Sequence, residues 1–211
     1  MPGQNLSFGL LLLHDFQWLV AGPVDLINSH SRANVQSIGS LRSLQELIEK
    51  APVITWHYIP FGRSPGHAPS TPLQPTRTVL RSTISSFMDP IRQSLFLQGL
   101  LTVCTRSMVV GTTGLLDGYK VCANKFAPRG LHAAGLLNKK VTWVGDRRWI
   151  ADRKVWSAAG VTTGLDLGAD FVRVNFDPKL VEFVKEVVEY KANPAQPDDF
   201  AYILDDIDYN N

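Results

Sequence analysis

Along most of its length the chain alternates between short apolar or β-branched runs and longer stretches with helical spacing, and few folds accept that alternation. Leu6 to Leu13 is a continuous apolar run. After it, Ala21-Gly22-Pro23 forms a turn in which proline at the start favours a helix through Val24, Leu26 and Ile27. Leu41, Leu44, Leu47 and Ile48 then recur at helical spacing and lead into Val53 to Ile59, whose β-branched and aromatic residues predict a strand. Gly99 to Cys104 reads as a short buried strand, and Thr105 to Leu116 as a helix that stops at Asp117-Gly118. Further strands are expected near Tyr119 to Ala123, Val141 to Val144 and Trp149 to Trp156, the last bent at Asp152-Arg153. Helices over 162–174 and 178–190 are expected to bury Leu165, Leu167, Phe171, Leu180, Phe183 and Val187. This order predicts an α/β fold with a mainly parallel sheet covered on both faces and ligand sites at the carboxyl ends of the strands.

Two segments break the alternation. Pro60 to Pro75 holds five prolines and two glycines without apolar periodicity and reads as a surface loop. Thr76 to Gln98 carries apolar residues at mixed spacing around Pro90 and reads as mostly helical. The acidic end, 194–211, is expected to be a solvated tail, leaving 1–193 as one domain.

Composition removes several function classes. With 211 residues, 45% of them hydrophobic, the chain can bury a core of its own. Its 21 basic and 19 acidic residues are interspersed, which argues against nucleic acid or an anionic membrane as partner. No apolar segment reaches the ~20 residues of a membrane span, and the run at Leu6 lacks the preceding positive charge of a signal peptide. Two cysteines, Cys104 and Cys122, are too few for a disulfide framework, so a reducing, cytoplasmic setting is expected and the sequon Asn5-Leu6-Ser7 is expected to stay unused. There is no phosphate loop, no Gly-x-Ser-x-Gly elbow and no cysteine or histidine pair at metal spacing, so no cofactor is implied. Asp205, Asp206 and Asp208 lack the glycine and terminal glutamate of a calcium loop.

Cys104 is the candidate reactive residue. A thiol where a buried strand turns sharply into a helix is held rigidly at the sheet edge, and the helix start offers unpaired N–H groups that favour a thiolate and can receive an oxyanion. The plainer reading makes it a small buried hydrophobe.

Leu101-Thr102-Val103-Cys104-Thr105-x-Ser107, followed by Gly114-Leu115-Leu116-Asp117-Gly118, resembles the nucleophile segment of the ThiJ/PfpI family of glutamine-amidotransferase-like proteins. Phe16 to Pro23 is similar to that family's first strand-to-helix junction, and Trp149 to Asp166, with Ser157-Ala158-Ala159-Gly160-Val161-Thr162-Thr163-Gly164, to its late hairpin and helix. The resemblance implies a flavodoxin-like three-layer sandwich, commonly a homodimer, in which Cys104 attacks a small electrophile while Thr105 and Gly22 line the oxyanion or substrate site. Val103-Cys104-Thr105 and Ala123-Asn124-Lys125 resemble the isocyanide-hydratase-like and fungal secondary-metabolism branch.

Several positions depart from that pattern. Leu19 stands where the family places the carboxylate that partners the cysteine; Asp15 reads as a turn residue and Asp25 as a solvent-facing first-turn acid. Arg106 stands where the family has a small residue. No glycine occurs between Leu73 and Gly99, so one family strand and its Gly-rich oxyanion loop have no counterpart. His57 and His132 read as structural. The residues therefore support two expectations: a cysteine-dependent hydratase or hydrolase, or a non-catalytic relative acting as a binding or partner subunit.

Overall fold

A computed structural model of the chain describes residues 3–12, 18–39, 44–60 and 98–207. Apart from Pro60, which ends a strand, and Gln98, the loop expected over 60–75 and the helix expected over 76–98 lie outside those residues, as do the gap in the family pattern, Asp15 and Asp208. Chain contacts group the molecule into two units, one of 1–73 with 168–193 and the other of 74–167 with 194–211.

In the first unit, β1 (Asn5–Leu12) and β2 (Val53–Pro60) pair in parallel, Asn5 opposite Val53. A parallel pair needs a crossover, and α1 (Gly22–Ser29), α2 (Arg32–Gly39) and α3 (Gln45–Lys50) provide it. Pro23 sits in the first turn of α1, where its missing N–H costs no hydrogen bond. Phe8 and Trp56, neighbours across the β1–β2 ladder, stack with ring centroids 4.8 Å apart, and the Trp56 indole N–H donates to Asn28 Oδ1 at 2.9 Å. The last helix of this unit, Pro178–Val188, starts at Asp177, whose side chain accepts the amides of Lys179 and Leu180. Leu180 and Val184 of that helix join Val35 and Ala51 in a fully buried cluster, while Val187, expected to be buried with Leu180, is 40% exposed in the last turn of the helix.

The second unit contains β3 (Leu100–Val103), α4 (Arg106–Gly111), β4 (Lys120–Val121), α5 (Phe126–Ala133), β5 (Thr142–Trp143), β6 (Trp149–Asp152) and β7 (Val155–Ala158). β3 pairs with β7 in parallel, Val103 opposite Ala158, and β4 with β5 in parallel. The run expected to be one bent strand is a tight antiparallel hairpin, β6 against β7, because Arg153 takes φ +55° and reverses the chain. All four residues of β7 are buried, as expected of a strand covered on both faces. β4 is tied to this hairpin through side chains: Lys120 N–H donates to Asp152 Oδ2 and Cys122 N–H to Ser157 Oγ, each at 2.8 Å.

The helix expected to run to Leu116 ends at Gly111. The Thr112 and Thr113 hydroxyls donate to the carbonyls of Val109 and Val110, and Gly114 takes φ +80°, so turns replace the last helical stretch. The helix α6 (Thr163–Asn175) follows β7, near the expected bounds, and Pro178–Val188 is α7.

The C-terminal segment is not a solvated tail over 194–207. Asp198 is 8% exposed and forms a buried ion pair with Lys125, Arg148 N–H donates to Ala195 O, Arg129 makes two bonds to the Asp206 carboxylate, and Leu204 is buried. Burial of Leu204 and pairing of the acids with cations on the second unit outweigh the solvation that the acidic composition favours.

His30, at the end of α1, is 2% exposed; its Nδ1 bonds Leu26 O at 2.8 Å and its Nε2 meets no partner among the described residues. Burial pushes its pKa down, opposed by the bond to Leu26. A base with a lowered folded pKa leaves stability intact above its unfolded value of ~6.5 and removes it as pH falls toward the folded value. Denaturant titrations are therefore expected to show stability decreasing below about pH 6.5, with a shallower decrease in His30→Asn; equal slopes for the two proteins would contradict this assignment.

Candidate functional site

β3 ends at Val103 and α4 begins at Arg106, so the chain turns from strand to helix across Cys104 and Thr105. It does so because Cys104 adopts φ +62°. For a residue with a Cβ, left-handed backbone costs roughly 1–2 kcal/mol and persists only where the surroundings hold it. Here Cys104 N–H donates to Ala158 O at 3.0 Å, extending the β3–β7 ladder one residue, and Thr105 O accepts from Met108 N–H at 3.0 Å. Beneath the turn, the Ser107 hydroxyl donates to Thr102 Oγ1 at 2.9 Å, both side chains being buried.

This geometry separates the two cysteines. Cys104 is partly exposed at the end of β3, whereas Cys122 is fully buried and burial pushes its thiol up to about 12. At neutral pH Cys122 is a protonated core residue, and Cys104 is the partly exposed cysteine of the two. Thr105 is exposed, and its N–H meets no acceptor among the described residues, as an oxyanion donor requires. Arg106 is the first residue of α4 and half-buried. Gly22, the third expected site residue, is the first residue of α1 in the first unit.

No acid or base is paired with the thiol among the described residues of its unit. In the first unit, Leu19 is 52% exposed in a short 3₁₀ turn (Trp18–Ala21), and Asp25 is an exposed acid in the first turn of α1. His57 bonds Ser7 Oγ at 2.9 Å across the β1–β2 pair, and His132 is exposed in the last turn of α5. Among the described residues no group of three His, Cys, Asp or Glu side chains is placed to hold a metal ion, and no helix is long and apolar enough to cross a membrane.

The loop after β7 lies against the elbow through Ala158 and is fixed from behind by Arg148. The Arg148 carbonyl accepts Ala159 N–H at 2.8 Å, its amide donates to Ala195 O at 2.8 Å, and its guanidinium pairs with Asp166 in the first turn of α6. The Asp166 carboxylate is completely buried. Neither this pair nor Lys125–Asp198 is apparent from sequence spacing, since the partners lie far apart in the chain; the one local signal is an acid flanked by Leu165 and Leu167 on an otherwise apolar stretch.

Neither a protein-family model nor a curated protein sequence matches the chain. Among solved structures, the chain is similar to a ThiJ/PfpI family protein from Pseudomonas syringae, at 20% identity and a TM-score of 0.58 over 91% of this chain and 78% of that one. It is also similar to DJ-1beta from Drosophila melanogaster, at 11% identity and a TM-score of 0.52 over 90% and 100% of the two chains. A mutant of a DJ-1 superfamily protein from Salmonella typhimurium matches at 13% identity and a TM-score of 0.56 over 89% and 99%. The expected fold is therefore the observed one: a mixed α/β chain with parallel strand pairs, shared with ThiJ/PfpI and DJ-1 proteins.

Two stability measurements test this geometry. Cys104→Gly is expected to be more stable than Cys104→Ala by about 1 kcal/mol, since glycine accepts φ > 0 without the Cβ penalty and alanine does not; equal stabilities would mean the residue is not left-handed. Asp166→Ala is expected to lose about 3–5 kcal/mol by leaving the Arg148 cation buried without its partner, measured by chemical denaturation, and a loss below ~1 kcal/mol would place the pair at a solvated surface.

Proposed function

We propose that the chain is a ThiJ/PfpI family protein and a cysteine-dependent hydratase or hydrolase that acts on a small electrophilic metabolite of the isocyanide, dicarbonyl or amide type. The observation that carries this reading is the left-handed backbone of Cys104 at the β3–α4 junction. Such strain is retained at positions where a side chain must be presented in one orientation, and a glycine would relieve it if the thiol had no use. Likeness to the ThiJ/PfpI fold and the sequence around Val103-Cys104-Thr105 support the same reading.

In this mechanism the Cys104 thiolate attacks the electrophilic carbon and the Thr105 N–H receives the developing negative charge. With an isocyanide, protonation of the adduct at carbon gives a thioimidate; with an amide, departure of the protonated amine gives a thioester; with a dicarbonyl, the hemithioacetal becomes a thioester by a proton shift between its two carbons. Water then adds to the thioimidate or thioester carbon, and collapse of the adduct expels the thiolate, which is reprotonated, and releases the formamide or acid product. A soluble, cytoplasmic homodimer with a role in secondary metabolism is the setting that the isocyanide-hydratase-like resemblance implies.

A second reading, a non-catalytic relative that binds a ligand or partner, draws on Leu19. An exposed leucine at the position of the usual carboxylate neither accepts nor donates a proton. A turnover screen over isocyanides, dicarbonyls and amides separates the two. The enzyme reading predicts a substrate whose conversion falls at least ~100-fold in Cys104→Ser; conversion equal in wild type and variant, or absent for every class, favours the binding protein.

A further inference from the structure

The backbone contacts of the elbow hold its strand side better than its helix side. Cys104 N–H has a short bond to Ala158 O, but the bond from Ser107 N–H back to Cys104 O is long, 3.4 Å. What returns α4 to β3 is a side-chain bond, Ser107 Oγ to Thr102 Oγ1. Thr102 precedes Cys104 by two residues and Ser107 follows it by three, so the bond closes a ring of chain with the cysteine at its apex.

Two aspects of this pair are unexplained by packing alone. Ser107 and Thr102 are 0% and 5% exposed, at positions where alanine and valine would fill the same space without taking hydroxyls out of water. A serine or threonine within or just after a helix also usually donates to a carbonyl three or four residues back, as Thr112 and Thr113 do just beyond α4, whereas Ser107 donates across to the strand.

We propose that the buried Ser107–Thr102 hydroxyl pair is the positioning element of the Cys104 elbow: it holds the left-handed backbone that carries the thiol without touching substrate. The inference rests on the reading of Cys104 as the reactive residue.

The test exploits a difference between a stabilising role and a positioning one. Removing Ser107's donor alone strands a buried hydroxyl, but replacing both residues by apolar isosteres, Thr102→Val with Ser107→Ala, can leave stability nearly unchanged. Iodoacetamide labelling of the folded protein, followed by peptide mass spectrometry, reads Cys104 directly and uses buried Cys122 as an internal reporter of opening. The double variant is expected to label at Cys104 about tenfold more slowly than wild type, with Cys122 unchanged, as befits a displaced reactive group. Thr102→Ser, which keeps the hydroxyl, is expected to label at close to the wild-type rate. A double variant with wild-type Cys104 labelling overturns the proposal. So does one in which both cysteines label faster, because that is the signature of local opening and of a purely structural pair. The reading of Cys104 fails separately, if wild-type Cys104 labels no faster than an ordinary exposed thiol; the ratio of variant to wild type still reports on the pair.

Discussion

The second unit is organised around one backbone constraint, the left-handed conformation of Cys104 between a half-buried strand and a short helix. A strand and a helix can be joined by many loops, but only a turn as tight as this places a side chain at the strand's carboxyl end while both flanking elements stay packed. The cost, of order 1–2 kcal/mol, is comparable to one or two net hydrogen bonds. The elbow has such bonds on each side: Cys104 N–H to Ala158 O on the sheet and the Ser107–Thr102 pair beneath it.

The surroundings extend that support outward. Ala158 is the last residue of a strand buried on both faces, paired in parallel with β3 on one side and in a hairpin with β6 on the other. The loop it leads into is pinned by Arg148, which bonds Ala159 and Ala195 through its backbone and Asp166 through its side chain. Charges this deep are costly unless both partners remain, so the pair acts less as a source of stability than as a condition on the geometry of the loop. Lys125 and Asp198 fix the C-terminal segment to the same unit in the same way.

Periodicity revealed the elements that depend on local pattern. The β-branched run at Val53, the capped helix at Pro178 and the strand-to-helix switch at Cys104 all stand in the structure near their expected positions. Features set by a single backbone angle or by distant partners were not legible. The bend expected at Asp152-Arg153 stands, but its sharpness, a full chain reversal, is set by one positive φ, and the early end of α4 reflects threonine hydroxyls competing for helical carbonyls. The acidic C-terminal segment read as solvated because composition alone does not show that Lys125, Arg129 and Arg148 wait across the fold to bind it. For the site, the sequence pointed to the cysteine and to Thr105 beside it; the bonds that hold the elbow emerged only from the structure.

The central claim is that Cys104 is a presented, reactive thiol while Cys122 is an inert core residue. Its most direct test is the rate of alkylation of each cysteine in the folded protein, followed by mass spectrometry at neutral pH with Cys104→Ser as the control. The account predicts rapid modification confined to Cys104 and no fast phase in the variant. Equal slow modification of both cysteines would contradict it and leave the elbow as a structural turn without chemistry.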